Sequence, residues 1–125
     1  MSKIQEILSK KGPHFNIVSS NTKVVDALTI LKSKNLSYVV VMDLNVFQGI
    51  MTERDYTHKI KLEGRTSDST LVKSIMTKDL PVIGFADDLK RCMILMNVYK
   101  TRYLPVFENN EFKGIITMND LMREV

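Results

Sequence analysis

Two stretches place a threonine three residues ahead of an aspartate, each after a glycine and two apolar residues: Gly49-Ile50-Met51-Thr52-Glu53-Arg54-Asp55 and Gly114-Ile115-Ile116-Thr117-Met118-Asn119-Asp120. Where a strand hands over to a helix, the first N–H groups lack partners and the helix dipole favours negative charge, which suits a phosphate. The threonine hydroxyl can donate to a phosphate oxygen, and the aspartate, one turn along, can accept both hydroxyls of a ribose. The glycine lets backbone or ligand approach where a side chain would intrude. The same spacing is also that of a capping box, in which threonine and acid satisfy the helix start themselves. On the motif alone both readings stand.

The elements that must position these residues are themselves repeated. From Gly49 to Gly114 the offset is 114 − 49 = 65 residues, and it also pairs Tyr38 with Tyr103, Val41 with Val106, Asn45 with Asn110 and Phe47 with Phe112. Further back the match is one of character: Val24 with Leu89, Ala27 with Cys92, Leu28 with Met93, Leu31 with Met96. A repeat on this scale speaks to architecture. It predicts an α+β chain made of one βαββα unit, duplicated, with residues 1–62 as the first copy, 63–70 as a linker and 71–125 as the second.

Ile4, Ile7 and Leu8 mark one face of an opening helix that runs to Lys11 and stops at Gly12-Pro13. Asn16 to Val18 is extended, and Ser20-Asn21-Thr22 offers caps for a helix with Val24, Ala27, Leu28 and Leu31 as its buried stripe. Ser37 to Met42 reads as a strand buried on both faces. Asp43-Leu44-Asn45 turns the chain into a second strand, Val46 to Met51, with a loop of the three-to-five-residue type. Thr52 opens a helix to about Lys61, and Gly64 to Thr70 is polar linker without periodicity. The second copy repeats the order: a short helix from Leu71 to Met76, extended Pro81-Val82-Ile83, and a helix opened by Asp87-Asp88. A hairpin of Tyr103 to Phe107 with Phe112 to Ile116 follows, and Thr117 starts the last helix.

Composition narrows the function classes. With 44% apolar and 26% charged residues the chain is an ordinary globular one, not a low-complexity tail. Its net charge of +4 and pI near 9.2 come from lysines scattered among acids. No basic stripe interleaved with aromatics and no zinc-ligand spacing point to nucleic acid. The longest apolar run is far short of the roughly 20 residues of a membrane span, and the opening helix lacks the apolar core of a signal peptide. Cytoplasmic residence is the expectation, and the single cysteine fits a reducing compartment. Cys92 aligns with Ala27 and reads as a small core residue, His58 as part of a solvated face. No metal site and no catalytic constellation emerges, so no enzymatic activity is expected.

Several stretches together resemble a known family. They are the hairpins ending in Gly-apolar-apolar-Thr-x-x-Asp, Leu104-Pro105-Val106 in the second hairpin and Ile75-Met76-Thr77 before the second copy. Thr52-Glu53-Arg54-Asp55-Tyr56 followed by Gly64-Arg65 adds to them. From Ile4 to Glu124 the chain resembles the cystathionine β-synthase (CBS) domain pair of the stand-alone prokaryotic type. The resemblance implies two units packed about a pseudo-two-fold axis, two equivalent clefts, and a homodimer in which two chains form a flat disc. In similar chains the clefts bind AMP, ADP, ATP, S-adenosylmethionine or a nicotinamide dinucleotide such as NADH.

Carried over by position, one site has Thr52 on phosphate, Asp55 on ribose, Arg54 as a phosphate partner and Ile17 or Val18 near the base. The other has Thr117 and Asp120, with Arg102 as the cation and Val82 and Ile83 near the base. Tyr103 departs from the histidine that many similar chains place after this arginine, which leaves open the charge offered to a polyphosphate. The function implied is that of a regulatory sensor that passes a conformational shift to a separate effector protein. The alternative is an interaction module with ligand-free clefts, whose Thr-x-x-Asp motifs only cap helices. Under the sensor reading, Asp55→Ala or Asp120→Ala removes binding and leaves the fold intact.

Overall fold

The computed structural model describes residues 1–12 and 16–124. The expected stop at Pro13 lies outside the described residues. The chain forms two compact units, one of residues 15–79 (the first unit) and one of residues 1–14 with 80–125 (the second unit). Spatial division therefore differs from division by repeat, because the opening helix of the first sequence copy belongs in space with the second motif.

That helix, α1 (Lys3–Lys11), starts at Ser2, whose hydroxyl accepts from the Gln5 N–H while the Gln5 side chain accepts from the Ser2 N–H. This capping box satisfies two of the donors that a helix start leaves over. Gly12, at φ 84°, ends the helix in a conformation that costs glycine nothing. Ile4 and Ile7, one turn apart, enter a core with Ile83, Cys92, Leu104, Ile116 and Leu121.

The first unit contains β1 (Ile17–Val18), α2 (Val24–Lys34), β2 (Tyr38–Asp43), β3 (Val46–Thr52) and α3 (Glu53–Tyr56). The last helix widens into a π-helical stretch, Thr57–Lys61, and a short 3-10 turn follows at Val72–Ser74. The strands lie in the order β1-β2-β3, with β1 parallel to β2 and β2 antiparallel to β3. Val39, Val40 and Val41 are all buried, as the unbroken β-branched run requires.

Two expectations for this unit are corrected. Ser20, Asn21 and Thr22 do not cap α2; Lys23 is its N-cap residue and makes no side-chain cap. The N–H groups of Val24 and Val25 donate instead to the carbonyls of Thr70 and Ser67. The polar stretch between the repeats is thus the cap of α2. Secondly, Asp43 pairs with Val46 and Glu108 with Glu111, so both hairpins close through two residues rather than three to five. Leu44 and Asn45 both have positive φ, as do Asn109 and Asn110, the pattern of a turn whose twist matches that of the strands.

The second unit contains α4 (Leu89–Tyr99), β4 (Tyr103–Glu108), β5 (Glu111–Thr117) and α5 (Met118–Arg123). Asp88 caps α4 by accepting from the Arg91 N–H at 2.8 Å. Here Pro81-Val82-Ile83 contributes only a bridge, Ile83 with Val106, where the first unit has a two-residue strand. Proline explains the loss. In the first unit the Val40 N–H donates to the Asn16 carbonyl at 2.7 Å; 65 residues on, Pro105 has no N–H to give.

Each unit also ties its pre-helix loop to the end of its first hairpin strand. Asp43 accepts from both the N–H and the hydroxyl of Ser20, which hold its carboxyl below the usual range. At the matching positions, Glu108 accepts from the Phe85 N–H at 2.9 Å.

Leu44 is fully exposed at φ 51°, a region that costs a branched side chain about 1 kcal/mol and that asparagine visits readily. Leu44→Asn, which copies Asn109, should therefore raise stability by about 0.5–1 kcal/mol. Urea denaturation checks this, and an unchanged or lowered midpoint would contradict the turn assignment.

Candidate functional site

Among the described residues the buried polar side chains are Ser20, Thr52, Asp55 and Asp120. Three of the four belong to the repeated motif. Burial of a carboxylate demands donors, and the geometry supplies them differently in the two copies.

In the first copy β3 ends at Thr52, which is the N-cap of α3. The Thr52 hydroxyl accepts from the Asp55 N–H at 3.0 Å, while Asp55 Oδ2 accepts from the Thr52 N–H at 2.9 Å and from the Thr52 hydroxyl at 3.1 Å. Asp55 Oδ1 accepts from Lys59 Nζ at 3.0 Å and from the Thr77 hydroxyl at 2.7 Å. Four donors thus meet one carboxylate. The Glu53 N–H, next along, donates to the Ser37 carbonyl at 3.2 Å.

In the second copy Thr117 caps α5 in the same way, with Asp120 Oδ2 on the Thr117 N–H at 2.8 Å and the Thr117 hydroxyl on the Asp120 N–H at 3.2 Å. The Met118 N–H donates to the Arg102 carbonyl at 2.9 Å. Lys11 Nζ reaches Asp120 Oδ2 at 2.8 Å and the Ile115 carbonyl at the same distance. Among the described residues Asp120 Oδ1 accepts only from Arg123, at 3.4 Å.

The helix starts are therefore not open anion cradles. In each copy the N–H groups of the cap, first and third helical positions are met by the chain itself, so the capping-box reading of the motif describes its own hydrogen bonds. The glycine of the first motif admits backbone: a Cβ on Gly49 would lie 2.5 Å from the Thr77 carbonyl oxygen.

The other predicted site residues divide by exposure. Arg54 and Arg102 are exposed. Ile17 and Val82, which match at the repeat offset, are 49% and 54% exposed. Their neighbours Val18 and Ile83 sit in the cores of the two units, so of these four only Ile17 and Val82 offer an apolar face to a ligand. Ile17 shares a row across the sheet with Val40 and Ile50. Tyr103 is half-buried at the start of β4.

Cys92 is buried; burial, with Asp87 and Asp88 adding to it, pushes its thiol up to about 11, which keeps it a core residue rather than a nucleophile. Among the described residues no three His, Cys, Asp or Glu side chains converge as metal ligands. No helix of the described residues is long and apolar enough to cross a membrane. Sequence reasoning missed Lys59, Thr77 and Lys11. Only Lys59, four residues after Asp55 on one helical face, had a local signal.

Comparison with known proteins bears on the whole chain. The family model described as CBS domain matches residues 4–62 and again residues 72–125. The chain is 33% identical over 131 residues to the CBS domain-containing protein CBSX3, mitochondrial, of Arabidopsis thaliana, covering 98% of this chain but 64% of that protein. This chain thus spans less than two thirds of that relative. Identity to the CBS domain-containing protein YhcV of Bacillus subtilis is 28% over 104 residues, 83% of this chain and 74% of that one. Among solved structures, a protein with CBS domains from Burkholderia ambifaria is 31% identical at a TM-score of 0.90, with 99% of this chain and 93% of that one covered. The CBS-domain containing protein ATU1752 from Agrobacterium tumefaciens is 28% identical at a TM-score of 0.88, with 97% of each chain covered.

The donors gathered on each aspartate revise the expectation that alanine there leaves the fold intact. Removing one partner of a buried ion pair leaves the others unsatisfied. Asp55→Ala should cost about 3 kcal/mol, and Asp120→Ala less, because three donors rather than four lose their acceptor and one of the three, Arg123, is long at 3.4 Å. Urea midpoints of the two variants test this; equal stability to wild type in both would show that the carboxylates carry no structural load.

Proposed function

Since the chain belongs to the CBS-domain family, whose paired domains generally act as regulatory modules and often bind adenosine nucleotides, we propose that it is a sensor of an adenosine-containing nucleotide. One observation carries this reading. Both copies bury a carboxylate at the junction of a strand and a helix, with an exposed apolar residue, Ile17 or Val82, in the same unit. The aspartates would take ribose hydroxyls, and the exposed Arg54 and Arg102 would take phosphate. Ile17 and Val82 would lie against adenine. AMP, ADP, ATP, S-adenosylmethionine and NADH share the adenosine that such a site reads.

The response would be a population shift: a nucleotide that binds one conformation better raises its share, and a separate effector protein reads it. A second copy of the chain is the nearest partner. Met93, Ile94, Val98 and Tyr99 of α4 and Met122 of α5 are exposed, an apolar surface of the kind that marks protein contacts. At the matching positions of α2 stand Leu28, Thr29, Ser33, Lys34 and, for Met122, Thr57 of the π-helical stretch, a more polar set. The second unit therefore carries the self-association in this reading.

One observation favours a second reading, an interaction module whose motifs are only caps: every lone pair of Asp55 already has a donor from the chain. Thermal shift with AMP, ADP, ATP, S-adenosylmethionine, NADH and GTP as control separates the two. A sensor should be stabilised by about 2.7 kcal/mol at one hundred times the dissociation constant, a rise of several degrees, by an adenine compound and not by GTP. No shift with any of them selects the interaction module. Nucleotide recovered unchanged after incubation is expected, and conversion to product would contradict a non-catalytic role.

A further inference from the structure

The two motifs match in sequence, and in each unit a lysine ammonium meets both the aspartate and a main-chain carbonyl: Lys59 donates to Asp55 and the Ile75 carbonyl, Lys11 to Asp120 and the Ile115 carbonyl. What the first unit adds is a threonine anchored by its backbone. Thr77 exchanges two hydrogen bonds with Ile50, its N–H donating to the Ile50 carbonyl at 2.8 Å and its carbonyl accepting from the Ile50 N–H at 3.1 Å. Its hydroxyl then donates to Asp55. An ionised carboxylate offers about four acceptor positions, and Asp55 has four donors on them. Room for a ribose there requires a strand-like bridge to open.

At the repeat offset Ile115 stands for Ile50 and Asp120 for Asp55. In the second unit one group does what the N–H and the hydroxyl of Thr77 do in the first: Lys11 Nζ donates both to the Ile115 carbonyl and to Asp120. The clamp is now a side chain on four rotatable bonds, 28% exposed, at the end of α1. Among the described residues Asp120 Oδ1 meets only the guanidinium of Arg123, which is 73% exposed, at 3.4 Å. The position that would answer to Lys59 is Glu124, which holds Lys3 and Lys10 of α1, so no second ammonium comes to Asp120 from its own helix.

Building on the sensor reading above, we propose that each chain takes one ribonucleotide, at Asp120 and not at Asp55. The ribose hydroxyls displace the Lys11 ammonium from Asp120, and the ammonium turns to the nucleotide's phosphate. Lys11 is a positioning residue for the empty site and a ligand contact for the filled one. Through it the occupancy of the site is felt at the end of α1, while Lys3 and Lys10 keep that helix on Glu124.

Calorimetric titration with AMP, ADP, ATP, S-adenosylmethionine and NADH, together with amide NMR of the wild-type chain, tests this. The expected result is one nucleotide per chain, with the Thr117 and Asp120 amide signals shifting and those of Thr52 and Asp55 staying in place. In Lys11→Met, adenosine should bind about tenfold tighter because the competing ammonium is gone, while AMP should lose that gain or bind more weakly because its phosphate partner is gone. Two nucleotides per chain, or shifts centred on Thr52 and Asp55, would overturn the single-site proposal and leave the sensor reading standing. Adenosine binding unchanged or weakened in Lys11→Met would overturn the displacement. Absence of binding by every nucleotide would remove the sensor reading and this proposal together.

Discussion

A carboxylate taken out of water must be met by donors or it destabilises the fold by several kcal/mol, and this chain buries two of them at strand-to-helix junctions. The cap geometry supplies part of what each needs: the N–H of the threonine at both, and its hydroxyl at Asp55. The remainder comes from further along the chain. Asp55 draws on Lys59 and on Thr77, beyond the polar linker, and Asp120 draws on Lys11, 109 residues away. Each demand accords with the unit in which the donor segment is found. Residues 72–77 join the first unit, and α1 joins the second, where Ile4 and Ile7 complete the core. The units in space are for this reason not the contiguous repeats of the sequence.

What was legible follows the same line between local and distant. The duplicated hairpins, the buried valine run of β2, the stripe of α2 and the Thr-x-x-Asp junctions all declare themselves within a few residues, through alternation, period or spacing. The two-residue turn at Leu44 was illegible because leucine carries no preference for positive φ. Leu44 adopts it since the strand register on either side demands it. The cap of α2 was misread for another reason. Its acceptors are the carbonyls of Ser67 and Thr70, and a backbone carbonyl has no sequence signature. Of the predicted base contacts, two adjacent β-branched residues such as Ile17 and Val18 give no clue to which faces inward. Only pairing with Val40 and Val41 decides it.

Divergence between the copies is concentrated where the constraint is weakest. The clamp from loop to hairpin persists with Asp43 changed to Glu108, since either carboxylate reaches a backbone N–H. Pro105 is tolerated because it removes one bond from a strand that is two residues long even when intact. At position 59 and its counterpart the charge has reversed, from Lys59 to Glu124. With that reversal, α1 brings three lysines to the two acids Asp120 and Glu124. The ion pairs lower the carboxyl of Glu124 and raise the ammonium of Lys3 from their usual ranges. The leading segments thus carry the difference between the two sites, while the motifs themselves stay alike.

A switch works when its two states lie within a few kcal/mol of each other, so that a ligand's differential affinity can reverse their order. A threonine held by a two-way backbone bridge is poorly suited to that, because opening it breaks paired backbone groups together. A lysine is better suited. In the arrangement proposed for Lys11, the ammonium leaves a carboxylate only as ribose hydroxyls arrive there, and it reaches a phosphate in the same event. Both the empty and the filled site then keep every buried charge compensated, and neither meets the large penalty of an unpaired ion. The free-energy gap between them reduces to the difference between two charge-assisted hydrogen-bond sets, which a ligand with differential affinity for the two states shifts.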